Sequence, residues 1–235
     1  MNIILFDSGC TRFGGKDERY RHIRDVLRLR AGDSFKAGII NGDRGMATIT
    51  DFGPDGLSFS FAPEGPDSSL FPLYVILAAV RPICMKRILR ELVSLGAGRL
   101  VICTSELGER SYLESRLYRS GEYRDIMLSG AMQSGHTGLP EVLFPAGLAK
   151  ALDCVEDAQV RLCLDVAGTT ASLTSVPSGS PLAIAIGGER GWTDRERELF
   201  DSRGFIRTGL GNRILRSETA AVAAAALALG RMNLI

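Results

Sequence analysis

"PLAIAIGGERGWTDRERELF", residues 181–200, passes from an unbroken apolar run through a glycine-rich turn into a charged stretch with helical spacing. An unbroken run, rather than in-and-out alternation, is what a strand covered on both faces requires, and such strands belong to parallel sheets. Thr193 followed three residues later by Glu196 is a capping box, which predicts a helix starting at Asp194. Gly187, Gly188 and Gly191 permit positive φ and a close approach of the backbone to a ligand. A tight strand-to-helix turn needs the same glycines, so the stretch alone leaves both readings open.

The pattern repeats outward from this segment. "LYVILAAV" (73–80), "RLVICTS" (99–105), "RLCLDV" (161–166) and "FIRTGL" (205–210) read as further strands. "MKRILRELVSLG" (85–96), "YRDIMLSGAMQS" (123–134), "TDRERELFDSRG" (193–204) and the alanine-rich stretch 217–230 read as helices. Strand and helix in alternation predict an α/β domain over residues 72–235, whose ligand belongs in the loops at the carboxyl ends of the strands. Neither a Walker A nor a Rossmann glycine fingerprint follows any of them.

Residues 33–61 differ: short alternating segments, "SFKAGII", "MATITDF" and "LSFSFA", are separated by "NGDRG" and "GPDG". That is a small β-barrel or meander. "APEGPDSSLFP" (62–72) has the composition of a linker, which sets the first domain at residues 1–68.

With 45% hydrophobic and 23% charged residues, the chain holds enough apolar material for a core without disulfides or a structural metal. Its five cysteines form no CxxC pair, and Cys84, Cys103 and Cys163 fall in apolar runs as small hydrophobes. Only His22 and His136 are available to a histidine site, so no metal is expected. "MNIILFDSGC" lacks the basic flank of a signal peptide, and no apolar tract reaches the roughly 20 residues of a membrane span; the expected setting is the cytoplasm. A net charge of +1 does not advertise a nucleic-acid binder, but residues 11–30 concentrate Arg12, Lys16, Arg19, Arg21, His22, Arg24, Arg28 and Arg30. That cluster is either a solvated helix face or a phosphate-holding patch.

"GLGNRILRSETA" (209–220) sets charge where the flanking pattern is apolar. Gly209 and Gly211 end a strand, and Ser217 is a candidate N-cap for the alanine-rich helix. Arg216 and Glu218 are either first-turn surface charges or a site; an arginine just before a helix start fits the dipole poorly, which favours the site.

Together these segments resemble the SPOUT-superfamily methyltransferases of the 16S ribosomal RNA uridine-N3 type, over nearly the whole chain. "HIRDVLRLRAGD" (22–33), "KRILRELVSLGAGRLVICTSELGERS" (86–111), "MQSGHTGLPEV" (132–142), "IGGERG" (186–191) and above all "LGNRILRSETA" (210–220) carry the resemblance. Four positions depart from the family pattern: Met132 stands for a glutamate, His136 for an arginine, Gly188 for a proline and Arg190 for a glycine.

The resemblance implies a C-terminal α/β SPOUT domain with a deep trefoil knot and an N-terminal PUA-like β-barrel. It implies a homodimer that uses S-adenosyl-L-methionine on 16S rRNA of the small ribosomal subunit. Leu164, Ile186, Gly187, Gly188, Glu189, Gly191, Leu210, Gly211, Ile214 and Leu215 would hold the cofactor. Arg216 would stabilise the uracil anion and Glu218 would orient it, while Arg12, Arg19, His22, Arg24 and Arg28 would hold RNA. Two other readings remain: methylation of another RNA atom, such as a tRNA ribose 2′-hydroxyl, or a non-catalytic RNA-binding relative, to which Met132, His136 and Arg190 point.

Overall fold

The computed structural model describes residues 2–235 apart from 168, 170 and 178, and the chain divides into two units. The first comprises residues 1–69 and 131–139. Its sheet contains β1 (Ile4–Phe6), β2 (Arg12–Gly14), β3 (Ser34–Ile39), β4 (Asp43–Gly53) and β5 (Gly56–Pro66), in the order β1-β3-β4-β5-β2. Phe6, Phe13, Phe59 and Phe61 meet edge-on or tilted with centroids 4.8–6.4 Å apart, filling the space between the strands. At the β4–β5 turn only glycine fits position 56, because a Cβ there would lie 2.2 Å from the Phe13 carbonyl oxygen.

Three features differ from the sequence reading. The N-terminal apolar run forms β1, which lies parallel to β3 with Ile4 opposite Ala37. Most of the proline- and glycine-bearing stretch after residue 62 is strand rather than linker: Ala62 pairs with Met46 and Pro66 with Asp43. Proline is tolerated there because β2 covers β5 only at residues 56–58, leaving the far end an open edge. Residues 131–139 also return to this unit, so its chain is not contiguous. The Met132 carbonyl accepts from Asn2 N and Ile3 N, Thr137 Oγ1 donates to the Gly42 carbonyl at 2.7 Å, and Asn41 Oδ1 accepts from Leu139 N. The basic segment forms a short helix, α1 (Glu18–Arg21), followed by a π-helical turn over His22–Leu27 that ends at Arg28 with φ 55°.

The second unit is an α/β layer structure. Its strands are β6 (Phe71–Ala78), β7 (Ala97–Cys103), β8 (Glu141–Leu143), β9 (Val160–Leu164), β10 (Ala171–Ser172), β11 (Leu182–Ile186) and β12 (Ile206–Gly209). They run in the order β10-β12-β9-β11-β6-β7-β8 and every pairing is parallel. The helices are α2 (Pro82–Ser94), α3 (Arg116–Arg119), α4 (Glu122–Ser134), α5 (Leu148–Asp153), α6 (Asp194–Ser202) and α7 (Ser217–Arg231). All five residues of the central strand β11 are buried, as its continuous apolar run requires. Trp192, Phe200 and Phe205 meet edge to face in series in the core that Ala183 and Ala185 of β11 share, with centroids 4.9 and 5.2 Å apart. Cys103 and Cys163 lie in this core, and burial pushes the Cys103 thiol up to about 12 and the Cys163 thiol higher still.

Helix α6 starts at Asp194 with both bonds of the capping box formed: Thr193 Oγ1 accepts from Glu196 N, and Glu196 accepts from Thr193 N. Helix α7 starts one residue earlier than its sequence signal, with Arg216 rather than Ser217 as the N-cap residue. Arg216 is extended (φ −67°, ψ 151°) and makes no side-chain cap bond, so its guanidinium is left for other work.

Candidate functional site

The pairing register sets where a ligand can bind. Ile186 is level with Leu77 on one side and Leu164 on the other, and Thr208 is level with Leu164. The loops after β9, β11 and β12 therefore emerge at one edge, the carboxyl edge of the parallel sheet. Between them lies a cleft open to solvent.

Leu164, Ile186, Gly187, Gly188, Gly191, Leu210, Gly211 and Leu215 all line this cleft. The structure thus brings eight of the ten residues singled out for a cofactor into one place. Glu189 and Ile214 face an adjoining compartment instead. Glu189 turns away, its Oε1 accepting at 3.2 Å from the amide of Arg81, the residue that precedes α2. The fit is closest at Gly187, where a Cβ would stand 3.2 Å from Gly191 Cα and 3.3 Å from the Trp192 ring. Gly191 has φ 65°, in the left-handed region that favours glycine.

Five lining residues escaped the sequence reading: Asp165, Val166, Arg213, Ser217 and Ala220. Asp165 is buried at 7% exposure and anchors the loop after β9. Its Oδ1 accepts from Val166 N at 2.7 Å and Ala167 N at 3.2 Å, and its Oδ2 accepts from Arg197 Nε at 2.6 Å. That partnership raises the Arg197 guanidinium above its ordinary value. Beside it Val166 presents an apolar side chain at 68% exposure, surface that a bound ligand would cover. The sequence signal was the acidic residue ending an otherwise apolar parallel strand.

The adjoining compartment shares Gly188, Leu215 and Ser217 with the cleft and adds Arg81, Cys84, Glu189, Ile214, Arg216 and Glu218. Arg216 forms no ion pair or side-chain hydrogen bond among the described residues, so its planar fork is unspent. Burial pushes the Cys84 thiol up, and the neighbouring Glu218 carboxylate adds to the shift. Among the described residues no cluster of His, Cys, Asp and Glu is placed to hold a metal.

The basic segment of the first unit separates into two groups. Arg12, Arg24 and Arg28 are exposed, although Arg24 is held by Asp25 at 2.6 Å. Arg19 is committed internally: it pairs with Asp17 at 2.7 Å, donates to the Leu5 carbonyl at 3.0 Å and lies 4.4 Å over the Phe13 ring. His22 is only partly exposed, its Nε2 is buried without a partner, and burial lowers its proton affinity, so it adds no charge at neutral pH. Met132 and His136 also belong to this unit: the Met132 side chain is buried, and His136 Nδ1 lies 3.2 Å from Asp67 Oδ1. Neither lines the cleft.

An RNA methyltransferase domain profile matches residues 66–229, and an RNA methyltransferase PUA domain profile matches residues 16–61. The ribosomal RNA small subunit methyltransferase E of Treponema pallidum is 40% identical, with 99% of this chain and 92% of the relative covered. The chain belongs to the ribosomal RNA small subunit methyltransferase E family. The family member of Borreliella burgdorferi is 29% identical over 99% of both chains. Among solved structures, the family member of Neisseria gonorrhoeae, bound to S-adenosylmethionine, superposes with a TM-score of 0.81 at 24% identity, covering 98% of this chain and 97% of that one. A Legionella pneumophila protein solved with the same molecule bound gives 0.83 at 20% identity, with the same coverage. These likenesses show the family's two-part fold: a PUA-like β unit and an α/β unit with a parallel sheet.

Proposed function

We propose that this protein transfers a methyl group from S-adenosyl-L-methionine to N3 of one uridine in 16S rRNA of the small ribosomal subunit. The observation that carries this reading is an apolar, glycine-lined cleft at the carboxyl edge of the sheet, adjoining a compartment that holds an unspent arginine. The cleft suits the cofactor: Leu164, Val166, Ile186, Leu210 and Leu215 supply apolar walls for an adenine ring, Gly187 leaves no room for a side chain of its own, and Gly191 takes the positive φ that favours glycine. Main-chain groups of Leu210, Gly211 and Leu215 would meet the adenine edge, and the loop 187–191 would hold the ribose and methionine portions. The reading includes the threaded, knotted arrangement of these loops that the family resemblance implies.

The bound cofactor supplies an electrophilic methyl on sulfonium sulfur. Uridine N3 carries a proton, which must pass to solvent water as the nitrogen takes up the methyl group and the sulfur keeps the bonding pair. Arg216 meets the negative charge that develops on the uracil oxygens, a contact strongest in the transition state. Glu218 lines the same compartment, from which it would orient that guanidinium. The exposed Arg12, Arg24 and Arg28 of the first unit hold RNA phosphates.

A homodimer in the cytoplasm is part of the same reading. Helix α7 buries Ala220, Ala221, Ala224, Ala225, Ala228 and Leu229 against its own unit, packing on α2, β6 and β11. Its opposite face carries Val222, Ala223, Ala226 and Leu227, also apolar, and a helix apolar all round is one buried on both sides.

Calorimetric titration with S-adenosylmethionine and mapping of the methylated nucleotide in small-subunit rRNA from a deletion strain test the proposal. Arg216→Ala should lower turnover about 10²–10³-fold, the size of effect for one transition-state donor. Its cofactor affinity should change little. Unaltered turnover would remove Arg216 from the mechanism, and a methyl group on another atom would replace the substrate.

A further inference from the structure

Two depressions adjoin in sequence beyond the cofactor cleft. The compartment of Arg216 shares Arg81 and Glu189 with a further pocket of about 390 Å³, lined also by Leu107, Glu109, Tyr112 and Arg190. Cleft, compartment and pocket thus form one trough along the carboxyl edge, and the third part has no task in the methyl transfer itself.

Its chemistry is specific. Arg190 stands where the family pattern has glycine, is exposed, and makes no ion pair or hydrogen bond among the described residues. Arg81 is 70% exposed at its side chain but anchored: its amide is held by Glu189, and its guanidinium lies 4.0 Å from the same carboxylate. The neighbouring Tyr112 and the charge of Glu189 raise the guanidinium's proton affinity. The Glu189 carboxylate is therefore spent on α2 and Arg81, whereas Arg190 is not. Leu107, 40% exposed, and the Tyr112 ring offer an apolar and an aromatic surface beside these two forks. Glu109 supplies an acceptor suited to a ribose hydroxyl or an exocyclic amine.

A planar cation pair, an aromatic face and one acceptor around an open hollow match the chemistry that recognises a single nucleotide of RNA. We infer that this pocket holds the nucleotide flanking the target uridine, its phosphate on Arg190 and Arg81 and its base against Tyr112 and Leu107. The inference rests on the proposed function for its placement next to the reacting base, and it adds a subsite in which Arg190 is a specificity residue of this chain.

The experiment uses the full chain and small ribosomal subunits lacking the modification. RNA affinity is read by filter binding at two salt concentrations, and methyl transfer is followed at saturating cofactor. Arg190→Ala should weaken binding about 10-fold, reduce the salt slope by about one phosphate contact, and act on KM more than on kcat. Tyr112→Leu should weaken binding several-fold while leaving the salt slope in place, because stacking rather than charge is lost. Arg195→Ala, which removes an arginine 87% exposed outside the trough, serves as the charge control and should leave both constants as in the unaltered protein. If Arg190→Ala and Tyr112→Leu match the unaltered protein, or if Arg195→Ala weakens binding equally, the subsite does not exist. A changed oligomeric state with unchanged RNA affinity would assign the face to a second copy of the chain. RNA binding without methyl transfer by the unaltered protein would overturn the proposed function, while the binding series would still decide the subsite.

Discussion

Gly187 is where a single atom decides the cleft. A Cβ there would press on Gly191 Cα at 3.2 Å and on the Trp192 ring at 3.3 Å, and neither can withdraw. Trp192 is 2% exposed and tied by its indole N–H to the Leu164 carbonyl at 3.0 Å. Gly187→Ala should therefore displace the loop itself, costing about 1–3 kcal/mol of stability as overpacking does, and weaken cofactor binding at least 10-fold. Thermal melts and calorimetry check both, and an alanine variant that binds as well as the parent would show that the loop shape is not required. Gly188 is the contrast, since its nearest neighbours would lie at 3.8–3.9 Å from a Cβ, ordinary contact. The glycines were legible in the sequence as a group, but which of them is sterically obligatory depends on Trp192 and Gly191 folding back, and no spacing rule contains that.

Asp17 shows how an element can claim a residue, here Arg19, that the sequence reading assigned to RNA. It is the N-cap of α1, accepting from Arg19 N at 2.8 Å, while its carboxylate also takes the Arg19 guanidinium. Burial acts to raise the Asp17 carboxyl, but the hydrogen bonds from the Arg19 side chain and amide outweigh it, and the net shift is downward. A carboxyl lowered by folding stabilises the native state above its unfolded value of about 3.9, and that contribution disappears as the pH falls through the folded value. Asp17→Asn keeps the cap and loses the ion pair, so it should cost about 0.2–1 kcal/mol near pH 7, the range for a partly exposed pair. The gap to the unaltered protein should close below about pH 4; urea titrations at pH 7 and pH 3 measure it, and a gap of constant size would disprove the linkage. At this scale the apolar parallel strands and the Thr193–Glu196 capping box were readable because each is a local pattern. Strand β1 and the return of residues 131–139 were not, because the partners that make them structure, Ala37 for Ile4 and Gly42 for Thr137, are distant in sequence.

For the whole molecule, the charge balance and the alanine-rich helix bear on the same question of what the protein meets. A net charge of +1 gives little long-range attraction to a polyanion, so recognition depends on arginines left unpaired at particular places and on an assembly that presents them. In the proposed dimer helix α7 would connect the subunit face to the chemistry, since Arg216 is its N-cap residue, its first turn carries Glu218 and its outer face carries Val222 and Leu227. Leu227 is 40% exposed on a helix whose other side is already packed, the arrangement of a surface awaiting a matching one. In a two-fold dimer each residue of such a face meets its own counterpart or a near neighbour, so one substitution introduces charge twice. Leu227→Glu should therefore shift the protein from dimer to monomer, as read by light scattering behind a sizing column, with its circular dichroism unchanged because the inner alanines are untouched. Methyl transfer should fall with dimer content if the partner completes each site, and cofactor affinity measured on the monomer separates that loss from damage to the cleft. A monomeric variant with full turnover would confine the active site to one chain, and an unaltered protein that is already monomeric would remove the dimer from the proposal.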